Sequence, residues 1–199
     1  MAIIGITGSI ATGKSTFTRL LLQRMGGDSF DCDAEARRLL DSDPAVSSEI
    51  LASFGAEYVD PDGKPIRARI RELVFADREA RARLEAILHP RIRFVWTHAA
   101  AVHRETHSSY LVDIPLLFET QADGEFDARV VVACSPATQR HRLESGRGLD
   151  PQLAERMIRA QMPMLEKIRR GTHVVWNEGS IETLRLQAHF FASSFSAHV

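Results

Sequence analysis

The sequence predicts an α/β protein built as a doubly wound parallel sheet, with a helical substrate lobe and a lid inserted. Three observations carry this. The apolar run Ala2-Ile3-Ile4-Gly5-Ile6-Thr7 passes directly into Gly8-Ser9-Ile10-Ala11-Thr12-Gly13-Lys14-Ser15, and then into helical spacing at Phe17, Leu20, Leu21 and Met25. Short apolar runs then recur, separated by amphipathic segments, so strands and helices alternate. Finally, Ala128-Arg129-Val130-Val131-Val132-Ala133-Cys134 is apolar on both faces, as a strand covered by helices on both sides must be. The order of strands within the sheet is not readable from such patterns.

Taken in order, the first strand covers 2–7 and the first helix begins at about Lys14, ending at the Gly26-Gly27 stop. Asp28 to Asp33 reads as a short second strand. Alternation would aim its Asp31 and Asp33 to one side, at the carboxyl edge where open parallel sheets bind ligands. Ala34 to Leu40 is helical. Asp43-Pro44 caps a further helix that runs through Ile50, Leu51 and Phe54 to Gly55, and Asp60-Pro61-Asp62-Gly63 is a turn. From Arg67 to His107 the pattern is helical, interrupted at His89-Pro90. Its arginines (Arg67, Arg69, Arg71, Arg78, Arg81, Arg83, Arg91, Arg93) form either a solvated face or a basic lobe for a phosphorylated substrate. Ser109 to Asp113 is a third strand ending on a carboxylate, followed at once by Pro115-Leu116-Leu117-Phe118-Glu119. Ser135-Pro136 and Asp150-Pro151 cap two helices; between them Arg140, Arg142 and Arg147, with Gly146 and Gly148, suggest a mobile lid. Thr172 to Asn177 is the last strand, and Gly179-Ser180 turns into a C-terminal helix offering Ile181, Leu184, Leu186 and Phe190 for packing.

Composition excludes several function classes. Lys+Arg at 25 against Asp+Glu at 26 leaves a net charge of −1, so no global basic field favours nucleic acid or a membrane surface. No apolar run is long enough to span a bilayer. Cys32 and Cys134, the 2 cysteines, match no metal spacing and no disulfide framework, which fits a reducing cytosol. A phosphate loop opening at Gly8 leaves no room for a signal peptide, so a cytoplasmic location is expected.

The chemistry is concentrated in residues 8–15, which fit Gly-x4-Gly-Lys-Ser/Thr in full. Small residues let backbone N–H groups converge on phosphate oxygens at the positive end of a helix. Lys14 adds a charge for the β- and γ-phosphates and Ser15 a hydroxyl for Mg2+. The motif implies a nucleoside triphosphate but not its fate. Other candidates read as structural. His103 and His107 lack a third metal ligand, Cys32 is a small buried thiol, and Trp96 and Trp176 are core or pocket-wall residues. Glu119 is balanced between an exposed helix start and a functional role.

Together these pieces resemble the dephospho-CoA kinase family. The resemblance rests on Gly5 through Thr16, Asp31-Cys32-Asp33 with Ala36-Arg37, Leu84-Glu85 with His89-Pro90, Asp113-Ile114-Pro115-Leu116-Leu117-Phe118-Glu119, Gln139 with Arg142, Gln161, and Asn177-Glu178-Gly179. It implies a P-loop kinase fold with a nucleotide core (about 1–60 and 108–199), a helical acceptor lobe (about 61–107) and a lid (about 138–165). It implies transfer of the ATP γ-phosphoryl group to the ribose 3′-hydroxyl of dephospho-CoA, the last step of coenzyme A synthesis. By the same resemblance Asp33 is the base, and Lys14 and Arg142 serve the reacting phosphates. Gly8, Ser9, Ile10, Ala11, Thr12, Gly13, Lys14, Ser15 and Thr16 hold ATP, with Ser15 on Mg2+ and Asn177 near adenine. His89, Pro90, Leu116 and Glu119 fall on the acceptor side, and a monomer or weak oligomer is expected.

The sequence departs from the family pattern at Ser9 and Ala11, where glycine is usual; the exchange is tolerated if neither position needs φ > 0. In the lid, the position of a second family arginine is Gly146, with Arg147 one place later, so which of Arg140, Arg142 and Arg147 closes on the phosphates stays open. So do the roles of Asp31 and Asp113. The alternatives are a kinase for another small alcohol or nucleotide, and a regulatory NTPase switch. A guanine-reading Asn-Lys-x-Asp is broken here by Asn177-Glu178-Gly179-Ser180.

Overall fold

The structure is a computed structural model that describes residues 2–196. Five parallel strands form one sheet: β1 (Ile3–Thr7), β2 (Asp28–Asp31), β3 (Tyr110–Asp113), β4 (Ala128–Ala133) and β5 (His173–Trp176), in the order β2-β3-β1-β4-β5. The predicted fold class is thus the observed one, and the phosphate-loop strand is central. Register brings Asp31 opposite Asp113, so both carboxylates end neighbouring strands.

The helices are α1 (Lys14–Met25), α2 (Cys32–Ser42), α3 (Pro44–Phe54), α4 (Arg67–Ala76), α5 (Arg78–Glu105), α6 (Pro136–Arg147), α7 (Pro151–Arg159), α8 (Met164–Arg170) and α9 (Ile181–Ser196). The chain divides into two compact units. The first comprises 1–31 and 99–199, the second 32–98. These limits fall earlier than the 61–107 lobe expected from sequence, because α2 and α3 are grouped with α4 and the first part of α5.

In the first unit, α1 and α9 cover one face of the sheet. Ile4, Ile6, Val130, Val132 and Val175 meet Phe17, Leu20 and Leu21 of α1 and Leu184, Ala188, Phe191 and Ala192 of α9. The 184/188/191/192 spacing is one helical stripe. It replaces the packing face expected at Ile181, Leu186 and Phe190, which are exposed. On the other face, a Cβ at Gly5 would come within 2.7 Å of Leu117 and 2.8 Å of Phe126, so a glycine lets the 115–119 turn lie close against β1. Trp96 is buried, but Trp176 is 47% exposed on the edge strand β5, so it is not a core residue.

The second unit buries Leu39, Val46, Ile50, Ile70 and Ala80. Its arginines are largely engaged internally. Arg67 pairs with Asp41, Arg81 with Glu85 and Arg91 with Glu49, while Arg83 lies over the Phe54 ring at 5.2 Å. α5 runs through His89-Pro90 without the expected break. Proline removes one N–H from the helix ladder. The ladder bond it lacks is the one to the Ala86 carbonyl; one residue on, the Arg91 guanidinium donates to the Ile87 carbonyl at 2.6 Å.

Candidate active site

β1 ends at the buried Thr7, and the chain turns through Gly8–Gly13 into α1. α1 has no capping side chain and no acidic residue in its first turn, so its free N–H groups and positive end are left for an anion. For N–H groups to point inward, the loop carbonyls must be satisfied outward, and those of Ser9 to Thr12 are. The Ser9 carbonyl accepts from Thr12 Oγ1 at 2.9 Å. The Ile10 carbonyl accepts from Gln139 Nε2 of α6 at 2.8 Å. The Ala11 carbonyl accepts from Arg142 Nη1 at 3.2 Å, and the Thr12 carbonyl from Asn177 Nδ2 at 2.8 Å. Arg142 Nη2 also donates to the Asn177 carbonyl at 3.0 Å, tying the two braces together. Gly13, at φ 88°, lies so close to the Asn177 amide that no Cβ fits.

Ala11 itself has φ 61°, the left-handed region. The condition under which alanine would be free of cost is therefore not met, and the residue carries roughly 1–2 kcal/mol of strain. Ser9 is not among the positive-φ residues.

The Lys14 ammonium bonds to the buried Asp113 carboxylate. Asp113 is thus a partner of the loop lysine, a relation its position at a strand end hinted at but did not define. Ser15 is exposed in the first turn of α1, and Thr16 faces a cleft of about 350 Å³. Ala11, Gly13, Arg142, Arg147, Asn177 and Leu184 also line that cleft. Arg140 instead pairs with Glu155 at 3.8 Å.

Asp33 does not continue β2. The strand stops at Asp31 and α2 begins at Cys32, so Asp33 is an exposed residue in a helical first turn and strand alternation does not relate it to Asp31. In the second unit His89 is half-buried and Pro90 exposed. Burial pushes the His89 imidazole below its ordinary value; Glu85 pulls the other way, and Arg81 adds to the fall. Leu116 is half-buried. Glu119 pairs with Lys167 at 2.8 Å and accepts from the Met162 N–H at 3.2 Å. Lys167, fully buried, was not singled out by sequence, because a lysine in a helix rich in charge reads as a surface residue. Cys134 is buried, its thiol pushed up to about 11 mainly by burial, with Arg142 opposing.

A parallel sheet with a braced Gly-x4-Gly-Lys-Ser loop after its central strand defines a P-loop kinase fold. The family model for dephospho-CoA kinase matches residues 2–183. A dephospho-CoA kinase of Symbiobacterium thermophilum is 39% identical over 188 residues, 94% of this chain and 78% of that one. One from Anaeromyxobacter dehalogenans is 42% identical over 185 residues, 92% and 87% of the two chains. A crystal structure of a Thermus thermophilus protein superimposes with a TM-score of 0.78 at 34% identity, covering 96% of each chain. The chain belongs to the dephospho-CoA kinase family. It is an enzyme, and its reaction is the ATP-dependent phosphorylation of dephospho-CoA in coenzyme A synthesis.

Proposed function

We propose that the phosphoryl group passes from ATP bound at residues 8–16 to the ribose 3′-hydroxyl of dephospho-CoA, with Asp33 as general base. The observation that carries the nucleotide half is the outward bracing of the carbonyls of Ser9, Ile10, Ala11 and Thr12, which leaves N–H groups for phosphate oxygens. Lys14 would move from Asp113 towards the transferring phosphoryl group, where a fixed positive charge is worth most. Arg142 would hold the loop and face the same cleft, with Asn177 beside the base. Mg2+ suits the hard oxygen donors present: the exposed Ser15 hydroxyl, with Asp113 and Asp31 at adjacent strand ends. Bound there with the phosphates, it would neutralise charge on the β- and γ-oxygens.

On the acceptor side, Asp33 is exposed and follows β2 by two residues, so its carboxylate is free to accept the hydroxyl proton. His89, Pro90 and Leu116 would contact the acceptor, and Glu119 would support that side through Lys167. Among the described residues no helix is long and apolar enough to cross a membrane. We take the enzyme to act in the cytoplasm, as a monomer or weak oligomer, on a small molecule and without nucleic acid.

The test is a coupled assay of ADP release with dephospho-CoA, ATP and Mg2+, run on wild type and Lys14→Ala. Wild type should turn over only with acceptor present. Lys14→Ala should lose activity by at least about 10²-fold with its circular dichroism unchanged. Near-normal turnover of the variant would remove the loop from the mechanism.

A further inference from the structure

Lys167 of α8 has a side chain that is 0% exposed. A buried ammonium persists only where it is paired and hydrogen-bonded. Its Nζ donates to the Pro115 carbonyl at 2.8 Å and pairs with Glu119 at 2.8 Å. The same Pro115 carbonyl accepts from Thr7 Oγ1 at 3.1 Å, and Thr7 is the last residue before the phosphate loop. The same Glu119 carboxylate accepts from the Met162 N–H, in the connector between α7 and α8. The neighbouring Gln161 accepts from the Ile10 N–H, inside the phosphate loop, at 2.7 Å. These bonds close a ring. It leaves the loop at Thr7, passes through Pro115, Lys167, Glu119 and the connector, and returns to the loop at Ile10.

We propose that Lys167, Glu119 and Gln161 are positioning residues for phosphoryl transfer: they fix the first turn of the phosphate loop to the α7–α8 connector, so that ATP meets a loop already set. The proposal rests on reading residues 8–16 as the ATP phosphate site. None of the three need touch a reacting atom. Gln139 takes the Ile10 carbonyl and Gln161 its N–H, so the Ile10 backbone is held from both sides. The Gln139 bond comes from α6; the Gln161 bond is backed by the pair of the buried Lys167 with Glu119, whose side chain is 23% exposed. A loop free to reorient its first peptides would bind ATP phosphates less tightly, because ordering would have to occur on binding.

The test is steady-state kinetics with melting curves. Gln161→Leu removes the half-buried amide and keeps its bulk. It should raise KM for ATP roughly three- to tenfold, the worth of one hydrogen bond. KM for dephospho-CoA should stay unchanged and Tm within about 4 °C. Lys167→Met/Glu119→Leu removes both charges together and leaves no buried ion unpaired, and should raise the ATP KM to a similar extent. The triple variant should be no worse than the worse of the two, because a ring can be opened only once. An unchanged ATP KM in Gln161→Leu, a fall in Tm alone, or effects that multiply in the triple variant would each overturn the ring while Lys14→Ala still abolishes turnover. If Lys14→Ala remains active, the phosphate-loop reading fails and the ring falls with it.

Discussion

Arg142 and Arg147 both line the cleft beside the phosphate loop, yet only Arg142 is shown bonded to the loop, at the carbonyl of Ala11. Its second bond, to the Asn177 carbonyl, holds the residue whose own amide braces Thr12. Losing Arg142 therefore frees Ala11, which already sits at a positive φ, and loosens Asn177 at the same time. Hydrogen bonds from a charged donor are worth about 1.5–3 kcal/mol each. Arg142→Ala should thus lower kcat/KM for ATP by roughly 10–100-fold, while Arg147→Ala should stay within a few-fold. Kinetics of the two variants at saturating acceptor decide between them. A larger loss in Arg147→Ala would show that the arginine one place beyond the family position closes on the phosphates.

At the scale of elements, what was legible in the sequence was local. Asp43, Ser135 and Asp150 cap α3, α6 and α7 through bonds to N–H groups two or three residues on, so short-range chemistry predicted them. Four strands were readable as short apolar runs next to turn residues, whereas the pattern carries β2 on to Asp33 because α2 begins at Cys32 with no turn between. Their order, and the face α9 presents, depend on partners far along the chain. So do the braces from Gln139 and Asn177 and the bond from Lys167 to the Pro115 carbonyl, which join residues 129, 165 and 52 positions apart. Pro90 misled for a different reason: α5 tolerates it inside a long helix. His89, in the same turn, allows a prediction. Its folded value lies below the unfolded 6.5, chiefly through burial, so the native state binds fewer protons. Its contribution to stability is then fully present above about pH 6.5 and lost as pH falls below that towards the folded value. Melting curves at pH 7.5 and 5.5 should show a smaller acid-induced drop in Tm for His89→Gln than for wild type. Equal drops would mean that other groups carry the slope.

At the scale of the whole molecule, the proposed roles divide along the chain. The phosphate loop, Lys14, Asp113, Arg142 and Asn177 all belong to the first unit, whereas Asp33 and His89-Pro90 belong to the second. If this division is functional, a change in the second unit should alter turnover without weakening ATP binding. Asp33→Asn is the sharpest case. A ribose hydroxyl is a poor nucleophile at neutral pH, and a carboxylate that orients it and accepts its proton contributes about 10²–10⁴-fold. Asparagine keeps the size and much of the hydrogen bonding but has no basic oxygen. Asp33 is exposed in the first turn of α2, where a negative charge favours the helix, so the exchange also costs a few tenths of a kcal/mol of stability. That is too little to account for a large kinetic effect. We expect kcat to fall roughly 10²–10⁴-fold, with the dissociation constant for ATP, measured by calorimetry, within about twofold of wild type. Asp31 ends β2 opposite Asp113, the partner of Lys14, rather than in the helix, so Asp31→Asn should reduce kcat less. An Asp33→Asn enzyme that turns over within a few-fold of wild type would remove Asp33 as the base. A larger loss in Asp31→Asn would move that role to the end of the strand.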